Sequence, residues 1–381
     1  MYLLSRRKLI FGAVVLVLVT FLTTSAGFLY LMNAWSSDVV STLKVLRALQ
    51  VVKSRYVEAV PVETLIAGSI KGMVKSLNDP HSLYMDAKMF KEFMIETEGS
   101  FGGVGIVIGT KDKMLTVIAP IEGTPGEKSG IKSGDQIIKI DGQDTKDLAL
   151  DEAVSKIRGP EGSQVVLTIM REQEVQDYTL TRSNIQIKTV AGKMLDNNIG
   201  YIRISMFNEN TGNDFVHKLQ ELEKQGLKAM VLDLRDNPGG LLDESVKVAS
   251  QFVPKGPVVS VVTRDGKRET HSSKLEAAKY PVAILVNGGS ASASEIVAGA
   301  AQDTGVGTLI GTKTYGKGSV QTIVRLDEGS AIKLTIAKYL TPSDRSINGV
   351  GIEPDIVVQL PESRDKDLQL DKALEVLKSK M

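Results

Sequence analysis

Apolar strands and amphipathic helices alternate regularly along the chain after residue 183. Strands separated by helices are typical of α/β layering around a largely parallel sheet. In such sheets, ligands bind beyond the carboxyl ends of the strands. We therefore expect an α/β core whose site lies at that edge. The predicted strands and helices are, in chain order, 199–204, 211–225, 229–234, 242–253, 258–262 and 282–286.

Two loops rich in glycine and small residues follow these strands. One contains Pro238-Gly-Gly240, and the other reads Gly288-Gly-Ser-Ala-Ser-Ala-Ser294. A predicted helix follows the second loop, and Ser292 with Glu295 three residues later forms a capping-box pattern at its start. Backbone N–H groups of the two loops could form an oxyanion hole, because glycine allows an N–H to point at a substrate oxygen.

Lys317 lies in a Gly-Lys-Gly turn before a predicted strand. A serine hydroxyl is a poor nucleophile until a base removes its proton. His81, His217 and His271 are far apart in sequence and are predicted to be structural, which leaves lysine as the candidate base. An ordinary lysine has a pKa near 10.4, and burial lowers it by about 3–5 units. The local pattern leaves the alternatives open, since Ser292 could simply cap a helix and Lys317 could be a solvated turn lysine.

Composition excludes several classes of protein. The 46 basic and 45 acidic side chains balance, so nothing indicates a nucleic-acid partner. The absence of cysteine excludes disulfides, thiolate metal sites and a cysteine nucleophile. The stretch Gly311-Thr-Lys-Thr-Tyr-Gly-Lys317 has phosphate-loop spacing, but Gly318 replaces the magnesium-binding Ser or Thr and a strand follows instead of a helix. We expect no nucleotide, metal or organic cofactor.

The N-terminus predicts an export route. Ser5-Arg-Arg-Lys8 precedes an apolar run at 9–32, and about 20 such residues span a bilayer. We expect an uncleaved, single-pass anchor in the inner (cytoplasmic) membrane, with the remainder of the chain extracytoplasmic, on the periplasmic or cell-surface side. A cleaved export signal is the alternative, because Thr24-Ser-Ala-Gly27 offers small residues. Both readings export the remainder of the chain.

Two further regions precede the α/β pattern. Residues 37–76 have helical periodicity, typical of packing surface or of a dimer contact.

Residues 98–182 resemble a PDZ domain, with short strands, one helix and the stretch Ser129-Gly-Ile-Lys-Ser-Gly-Asp135. The glycines of Phe101-Gly-Gly-Val-Gly-Ile106 could turn N–H groups outward to bind a terminal carboxylate while the next strand pairs with a peptide. An ordinary tight turn is the alternative.

Together these stretches resemble the carboxyl-terminal processing peptidases, also called tail-specific proteases. The resemblance covers the chain from about residue 60 to 358, in the family's order. Beside the PDZ-like module, it rests on 76–84, 99–106, 232–242, 290–296, 315–321 and 351–355.

The resemblance implies a serine endopeptidase with Ser292 as nucleophile, Lys317 as base and Gln321 orienting the lysine. It implies oxyanion donors at Gly240 and Ala293. It also implies that the PDZ-like domain receives the substrate's C-terminus and gates the site. The residues expected in that domain are Gly102, Gly103, Val104, Gly105 and Ile106 for the peptide and Arg158 for gating.

The resemblance also sets the expected fold and partners. The protease core should have ClpP/crotonase-like α/β layering, beside the PDZ-like β-rich domain and the transmembrane helix. Expected partners are exported proteins with accessible C-termini, the membrane through 9–32, and a second copy or an activating protein. A catalytically silent PDZ-bearing scaffold is the alternative of another class. The expected divisions are 1–33 anchor, 34–97 helical, 98–182 PDZ-like, 183–361 protease core and 362–381 C-terminal helix.

One residue departs from the family's pattern. Asp344, in Thr341-Pro-Ser-Asp-Arg-Ser346, stands where the family leads us to expect glycine. The departure concerns the geometry of that turn and leaves the catalytic assignments unaffected.

Overall fold

A computed structural model of the 381-residue chain describes residues 6–34, 36–111, 114–146, 148–359 and 366–381. The chain divides into two compact units, Met1–Asn78 and Asp79–Met381.

The first unit is helical, as the periodicity of 37–76 predicted. Phe11–Phe28 is long and apolar enough to cross a membrane, although a signal sequence would have the same character. The hydroxyl groups of Thr20 and Thr24 donate to carbonyl oxygens four residues earlier, so these polar groups are satisfied within the helix. The predicted basic tip begins at Ser5, outside the described residues. The helices are α1 (Arg6–Ala34), α2 (Ser36–Arg55) and α3 (Val62–Lys75).

The second unit begins with three short elements that lead into the β-rich module. Asp86 starts the helix by accepting the N–H of Met89 through its side chain, and Gly99 ends it at a positive φ of 69°. This helix lies within the region 34–97 that was expected to be helical, although the specific helical periodicity was noted only for 37–76. The three elements are β1 (Leu83–Met85), α4 (Ala87–Glu98) and β2 (Ser100–Gly103).

The β-rich module is an antiparallel sheet in the order β3-β4-β5-β7-β8, with β6 beside β5. Its longer helix, α6, buries Ala153 and Ile157 one turn apart against the sheet, as its amphipathic pattern requires. The Arg182 guanidinium donates to the carbonyl oxygens of Lys156 and Ile157, which satisfies the end of that helix. The elements are β3 (Ile106–Lys111), β4 (Met114–Pro120), α5 (Pro125–Lys128), β5 (Gln136–Ile140), β6 (Gln143–Asp144), α6 (Leu150–Ile157), β7 (Gln164–Arg171) and β8 (Glu174–Thr181).

The two chain segments that enter and leave this module are paired with each other. β9 (Ser183–Gln186) runs antiparallel to β2, with Phe101 opposite Ile185. The N–H of Ile187 also donates to the Gly99 carbonyl at 2.8 Å. The two chain segments that connect the module to the rest of the unit, β2 and β9, therefore pair as a two-stranded antiparallel ribbon.

The core contains the predicted, largely parallel sheet, in the order β10-β11-β12-β15-β16-β19. β10 is antiparallel to β11, and the other neighbours are parallel. Its strands are β10 (Val190–Leu195), β11 (Ile199–Ile204), β12 (Ala229–Asp233), β15 (Val282–Val286), β16 (Gly307–Gly311) and β19 (Ile356–Val357). A 3₁₀ turn at Asp196–Asn198 joins the first two.

Helices cover both faces of this sheet. Alternate residues of a strand point to opposite faces, so Met230 and Leu232 pack with α7, α8 and α9 on one face. Val231 and Ala283 pack under α10 on the other. Strands buried on both faces explain the continuous apolar runs in the sequence. The helices are α7 (Thr211–Lys224), α8 (Leu242–Ala249), α9 (Ala293–Asp303) and α10 (Leu368–Lys380).

A second core sheet, in the order β1-β18-β13-β14 with β17 beside β18, was not foreseen as a separate layer. It contributes Val258, Val259 and Tyr339 to the same core as α9. It therefore brings β17 and β18 next to the helix that begins after Ser292. Its remaining strands are β13 (Gly256–Thr263), β14 (Arg268–Ser273), β17 (Ser319–Arg325) and β18 (Ala331–Leu340).

Candidate active site

Ser292 lies between the end of β15 and α9, where it is the N-cap of the helix. Its backbone has φ 53° and ψ −113°, a conformation that costs a non-glycine residue about 1–3 kcal/mol. The hydroxyl of Ser290 donates to the Leu234 carbonyl at 2.8 Å, and that of Ser294 donates to the Asn237 carbonyl at 3.0 Å. The two outer serines therefore tie this loop to the neighbouring glycine-rich loop, and the strained middle serine lines the cavity between them.

Glu295 connects the Ser292 loop to the Lys317 loop. Its side chain is completely buried. One carboxylate oxygen, Oε2, accepts the backbone N–H of Ser292 and that of Lys317, each at 2.8 Å. The other, Oε1, accepts the Thr314 hydroxyl at 2.6 Å and the Gly316 N–H at 2.7 Å. The bond from the Ser292 N–H is the glutamate half of the predicted capping box, and the same glutamate also fixes the lysine loop.

Tyr339 links the same two residues from the second sheet. Its hydroxyl lies 3.0 Å from the Ser292 carbonyl oxygen and is also in hydrogen-bond contact with the Lys317 carbonyl oxygen. Burial, followed by the nearby Glu295, raises the pKa of Tyr339 well above its ordinary value, so the hydroxyl remains a donor. Sequence reasoning missed this residue because its contact depends on the pairing of β18 with β13 and β17.

Lys317 is half-buried in the same cavity, which has a volume of about 480 Å³. Burial lowers its pKa, the nearby Lys333 ammonium lowers it further, and Asp79 and Glu295 oppose this shift. Lys317 is therefore partly shielded from solvent, in surroundings that favour its neutral form. Its role as a base stays a prediction.

Gly240 and Ala293 contribute the two backbone amides that were predicted to hold an oxyanion. Both residues line the cavity with Ser292. Among the residues that the structure describes, neither N–H donates to another protein group. Gly240 has φ 142°, and a Cβ there would lie 2.0 Å from the Phe207 carbonyl oxygen, so only glycine fits. The N–H groups of Gly240 and Ala293 are thus two available hydrogen-bond donors in the cavity that Ser292 also lines.

Gln321 lines the cavity from β17. Its side-chain nitrogen donates to the Ser319 hydroxyl at 2.9 Å and to the Thr335 hydroxyl at 3.2 Å. These bonds fix the amide plane, so its oxygen is the atom with which it could accept from Lys317. Its predicted role therefore stays a prediction.

A second cation and a histidine complete the surroundings of the cavity. Lys333 of β18 lines it, with its Nζ 5.1 Å from the centre of the Phe93 ring. Burial lowers the pKa of His81, and the neighbouring Lys317 lowers it further. The Ser82 hydroxyl accepts the Thr335 N–H at 3.0 Å, which fastens the turn of His81 to β18. No local sequence pattern identifies Lys333, because its position depends on long-range strand pairing.

The β-rich module has its own groove, with a cavity of about 250 Å³. Gly103, Val104, Gly105 and Ile106 line it opposite α6, as predicted. Gly102 does not line it, because its carbonyl oxygen accepts the Gly159 N–H at 3.1 Å and a Cβ would collide with Gly159.

The predicted gating residue, Arg158, lies at the mouth of this groove. Its guanidinium group is stacked 4.3 Å from the centre of the Phe101 ring. The arginine therefore touches both the groove and β2, the strand that enters the module.

Asp344 has φ 60°, the left-handed region that favours glycine. Its side chain pairs with Arg268 of β14. The departure from the family's pattern thus keeps the backbone turn, with an ion pair added at the surface.

Three family models match the chain. They are peptidase family S41 over residues 198–358, the PDZ domain over 92–170, and the N-terminal domain of the activating protease CtpB over 25–89. The first two overlie the parallel-sheet core and most of the β-rich module.

Similar proteins share most of the chain. The carboxy-terminal-processing protease of Bartonella bacilliformis is 44% identical over 322 residues, covering 81% of this chain and 73% of that protein. The carboxy-terminal processing protease CtpA of Bacillus subtilis is 40% identical, covering 84% and 69%. The solved structure of a photosystem II D1 C-terminal processing protease matches with a TM-score of 0.51 and 30% identity, covering 88% of this chain and 96% of that one.

The chain belongs to peptidase family S41. It is a serine protease of the C-terminal processing kind and carries a PDZ domain. Among the described residues, no group of three or more His, Asp or Glu side chains could hold a metal ion.

Proposed function

We propose that Ser292 and Lys317 form a Ser-Lys dyad that hydrolyses peptide bonds near the C-termini of exported proteins. The observation that carries this proposal is the shared acceptor, Glu295 Oε2, which bonds the backbone N–H of both residues. A buried carboxylate with four donors holds the nucleophile loop and the base loop in one fixed relation. Preorganisation of this kind is what nucleophilic catalysis requires.

The chemistry follows from the groups in the cavity. Neutral Lys317 takes the proton from the Ser292 hydroxyl as its oxygen attacks the peptide carbonyl carbon. The negative charge that develops on the carbonyl oxygen is stabilised by the N–H groups of Gly240 and Ala293. The protonated lysine then gives its proton to the leaving amine, which leaves an acyl-enzyme. Water, deprotonated by the same lysine, releases the acid product and restores the serine.

Gln321 has a supporting role in this proposal. Its amide oxygen accepts from Lys317 and directs the lysine toward the serine, while Ser319 and Thr335 fix the amide itself. The role is positional, since the glutamine takes no proton in the reaction.

The PDZ domain selects substrates by their C-termini. A C-terminal peptide pairs with the strand after Gly105, and the N–H groups of the glycine-rich turn donate hydrogen bonds to its carboxylate. Gly102 contributes by allowing the close contact with Gly159. Arg158, stacked on Phe101 at the groove, couples peptide binding to the ribbon of β2 and β9 and so gates the protease site.

The proposal also includes the location of the chain in the cell and its assembly with other proteins. The apolar run at 9–32, within α1, anchors the chain in the inner membrane, with the catalytic part extracytoplasmic. The functional divisions are the anchor at 1–33, the helical region at 34–97, the PDZ domain at 98–182, the ClpP/crotonase-like core at 183–361 and the C-terminal helix at 362–381. The helical ends are surfaces for a second copy or an activating protein.

The test compares the full-length chain in detergent with Ser292→Ala and Lys317→Ala on a loosely folded protein that has an apolar C-terminal tail. The products are mapped by mass spectrometry. Lys313→Ala is the matched control, because Lys313 lies in the same loop but pairs with Glu353 at the surface. We expect cleavage by the parent and by Lys313→Ala, and none by the two site variants. Binding of the tail without cleavage would favour the silent scaffold, and cleavage by the site variants would refute the assignment.

A further inference from the structure

Lys333 lies on the same strand, β18, as two groups already placed in the protease site. Tyr339 contacts the Ser292 and Lys317 carbonyl oxygens, and Thr335 accepts a bond from Gln321. A bulge between Thr335 and Ala337 interrupts the alternation of side chains along the strand. Lys333 and Tyr339 nevertheless both line the catalytic cavity.

Among the described residues, Lys333 has no ion-pair partner that would account for a lysine at this position. Within the described parts of the chain, no carboxylate lies within ion-pair distance of its ammonium group, which is half-buried over Phe93. Partial burial of an unpaired cation is unfavourable. An apolar side chain would fill the same space beside Phe93, Met94 and Ile323 without that cost.

We propose that Lys333 is a positioning residue of the protease, whose positive charge acts through Lys317 to favour the neutral form of the general base. The inference rests on the proposed Ser-Lys dyad. A like charge held nearby disfavours protonation of a lysine, and a second cation is one of the recognised ways to activate a lysine.

The groups that face Lys317 come from three elements. Lys333 of β18 repels its proton, whereas Asp79 in the turn before β1 and Glu295 of α9 favour it. His81 of the same turn also faces Lys317, and its lowered pKa keeps it neutral around pH 7. Lys333 is thus the one positive group at neutral pH, among the described residues around the base, that opposes the two carboxyl groups.

The two lysines have different surroundings. Burial lowers the pKa of Lys333, but Glu96 of α4 raises it and the face of the Phe93 ring favours a cation. Burial also lowers the pKa of Lys317, and the neighbouring Lys333 lowers it further, against Asp79 and Glu295. The proposal requires Lys333 to keep its charge where Lys317 becomes neutral, and the Phe93 ring and Glu96 favour that order.

The test is the pH dependence of kcat/KM for the full-length chain carrying Lys333→Met, Lys333→Arg or Lys338→Met. Lys338 is the matched control, because it lies on the same strand but is exposed and is not among the residues that line the cavity. Removal of the Lys333 charge should move the acid limb of the profile to higher pH by about one unit, a roughly tenfold loss below the limb. The rate should recover at alkaline pH. Lys333→Arg should keep the parental limb, and Lys338→Met should not change it.

Three outcomes decide the matter. An alkaline shift in Lys333→Met that arginine reverses supports the proposal. An equal loss at all pH values, or an unmoved limb, overturns it, because a purely structural lysine would behave in that way. Lys317→Ala is measured in parallel: if it retains activity, the dyad itself fails, whereas if it is inactive and the Lys333→Met limb is unmoved, only the role of Lys333 fails.

Discussion

The backbone N–H of Lys317 donates to Glu295 Oε2 at 2.8 Å. Because Glu295 is three residues beyond Ser292 and accepts its N–H through the same oxygen, the cap of α9 also fixes the Lys317 loop relative to Ser292. The proposed Ser-Lys dyad thus rests on backbone contacts, which do not depend on the flexible lysine side chain. All variants are made in the full-length chain.

Glu295→Gln should lower kcat by about 10-fold to 100-fold with a small change in KM. The amide group of glutamine turns one acceptor into a donor, so it faces at least one of the four N–H or O–H donors unpaired, at about 1–3 kcal/mol each. Steady-state kinetics and thermal melting measure both effects. The control is Glu353→Gln at the surface, and unchanged kcat in Glu295→Gln would show that this carboxyl group does not align the dyad.

Tyr339→Phe should reduce kcat by about tenfold and destabilise the protein by about 1 kcal/mol, because it removes the hydroxyl that contacts the Ser292 and Lys317 carbonyl oxygens. The aromatic ring still fills the core, so a folded protein is expected. A destabilised variant with undiminished kcat would assign Tyr339 to packing alone.

Gly239→Ala should lower kcat by about 100-fold. A Cβ at this position would lie 2.8 Å from the Ser292 Cβ and 2.9 Å from the Ala293 nitrogen, and φ is already 100°. The matched control is Gly288→Ala in the facing loop, where the nearest atom is 4.0 Å away and the methyl group is accommodated. Equal activity of the two variants would argue against an oxyanion site at this position.

Arg158→Ala should weaken the preference for substrates with a free C-terminal carboxylate over the same substrates with an amidated C-terminus. The expected change is a fall in the ratio of kcat/KM values for the two substrates, with cleavage itself retained. Lys156→Ala, an exposed cation on the same helix, is the control. An unaltered ratio would show that Arg158 has no part in recognising the C-terminal carboxylate of the substrate.

The sequence predicts those parts of the fold that depend on local pattern. The strands at Ile199–Ile204 and Val282–Val286 were confirmed with the same bounds, because their apolar patterns are strong. The helix at Leu368–Lys380 lies within the predicted range 362–381. Ser292 and Lys317 were selected from loop chemistry and family resemblance, and both line one cavity.

The remaining parts of the fold and of the candidate site depend on long-range contacts, which no local sequence pattern contains. Lys333 and Tyr339 reach the cavity only because β18 pairs with β1, β13 and β17. The region 34–97 was expected to be helical, but no local pattern indicated that Phe93 and Met94 of α4 would border the cavity. The presence of Asp344 where glycine was expected can be interpreted only when its positive φ is known.

The most direct measurement is the pH profile of kcat/KM for the parent and Lys317→Ala on one peptide substrate, with Lys313→Ala as the control. Neutral lysine is the reactive form, so activity should rise with pH through the pKa of Lys317, which burial and Lys333 hold below 10.5. We expect an acid limb below that value in the parent and in Lys313→Ala, and no activity in Lys317→Ala. Full activity with the same limb in Lys317→Ala would mean that another group is the base.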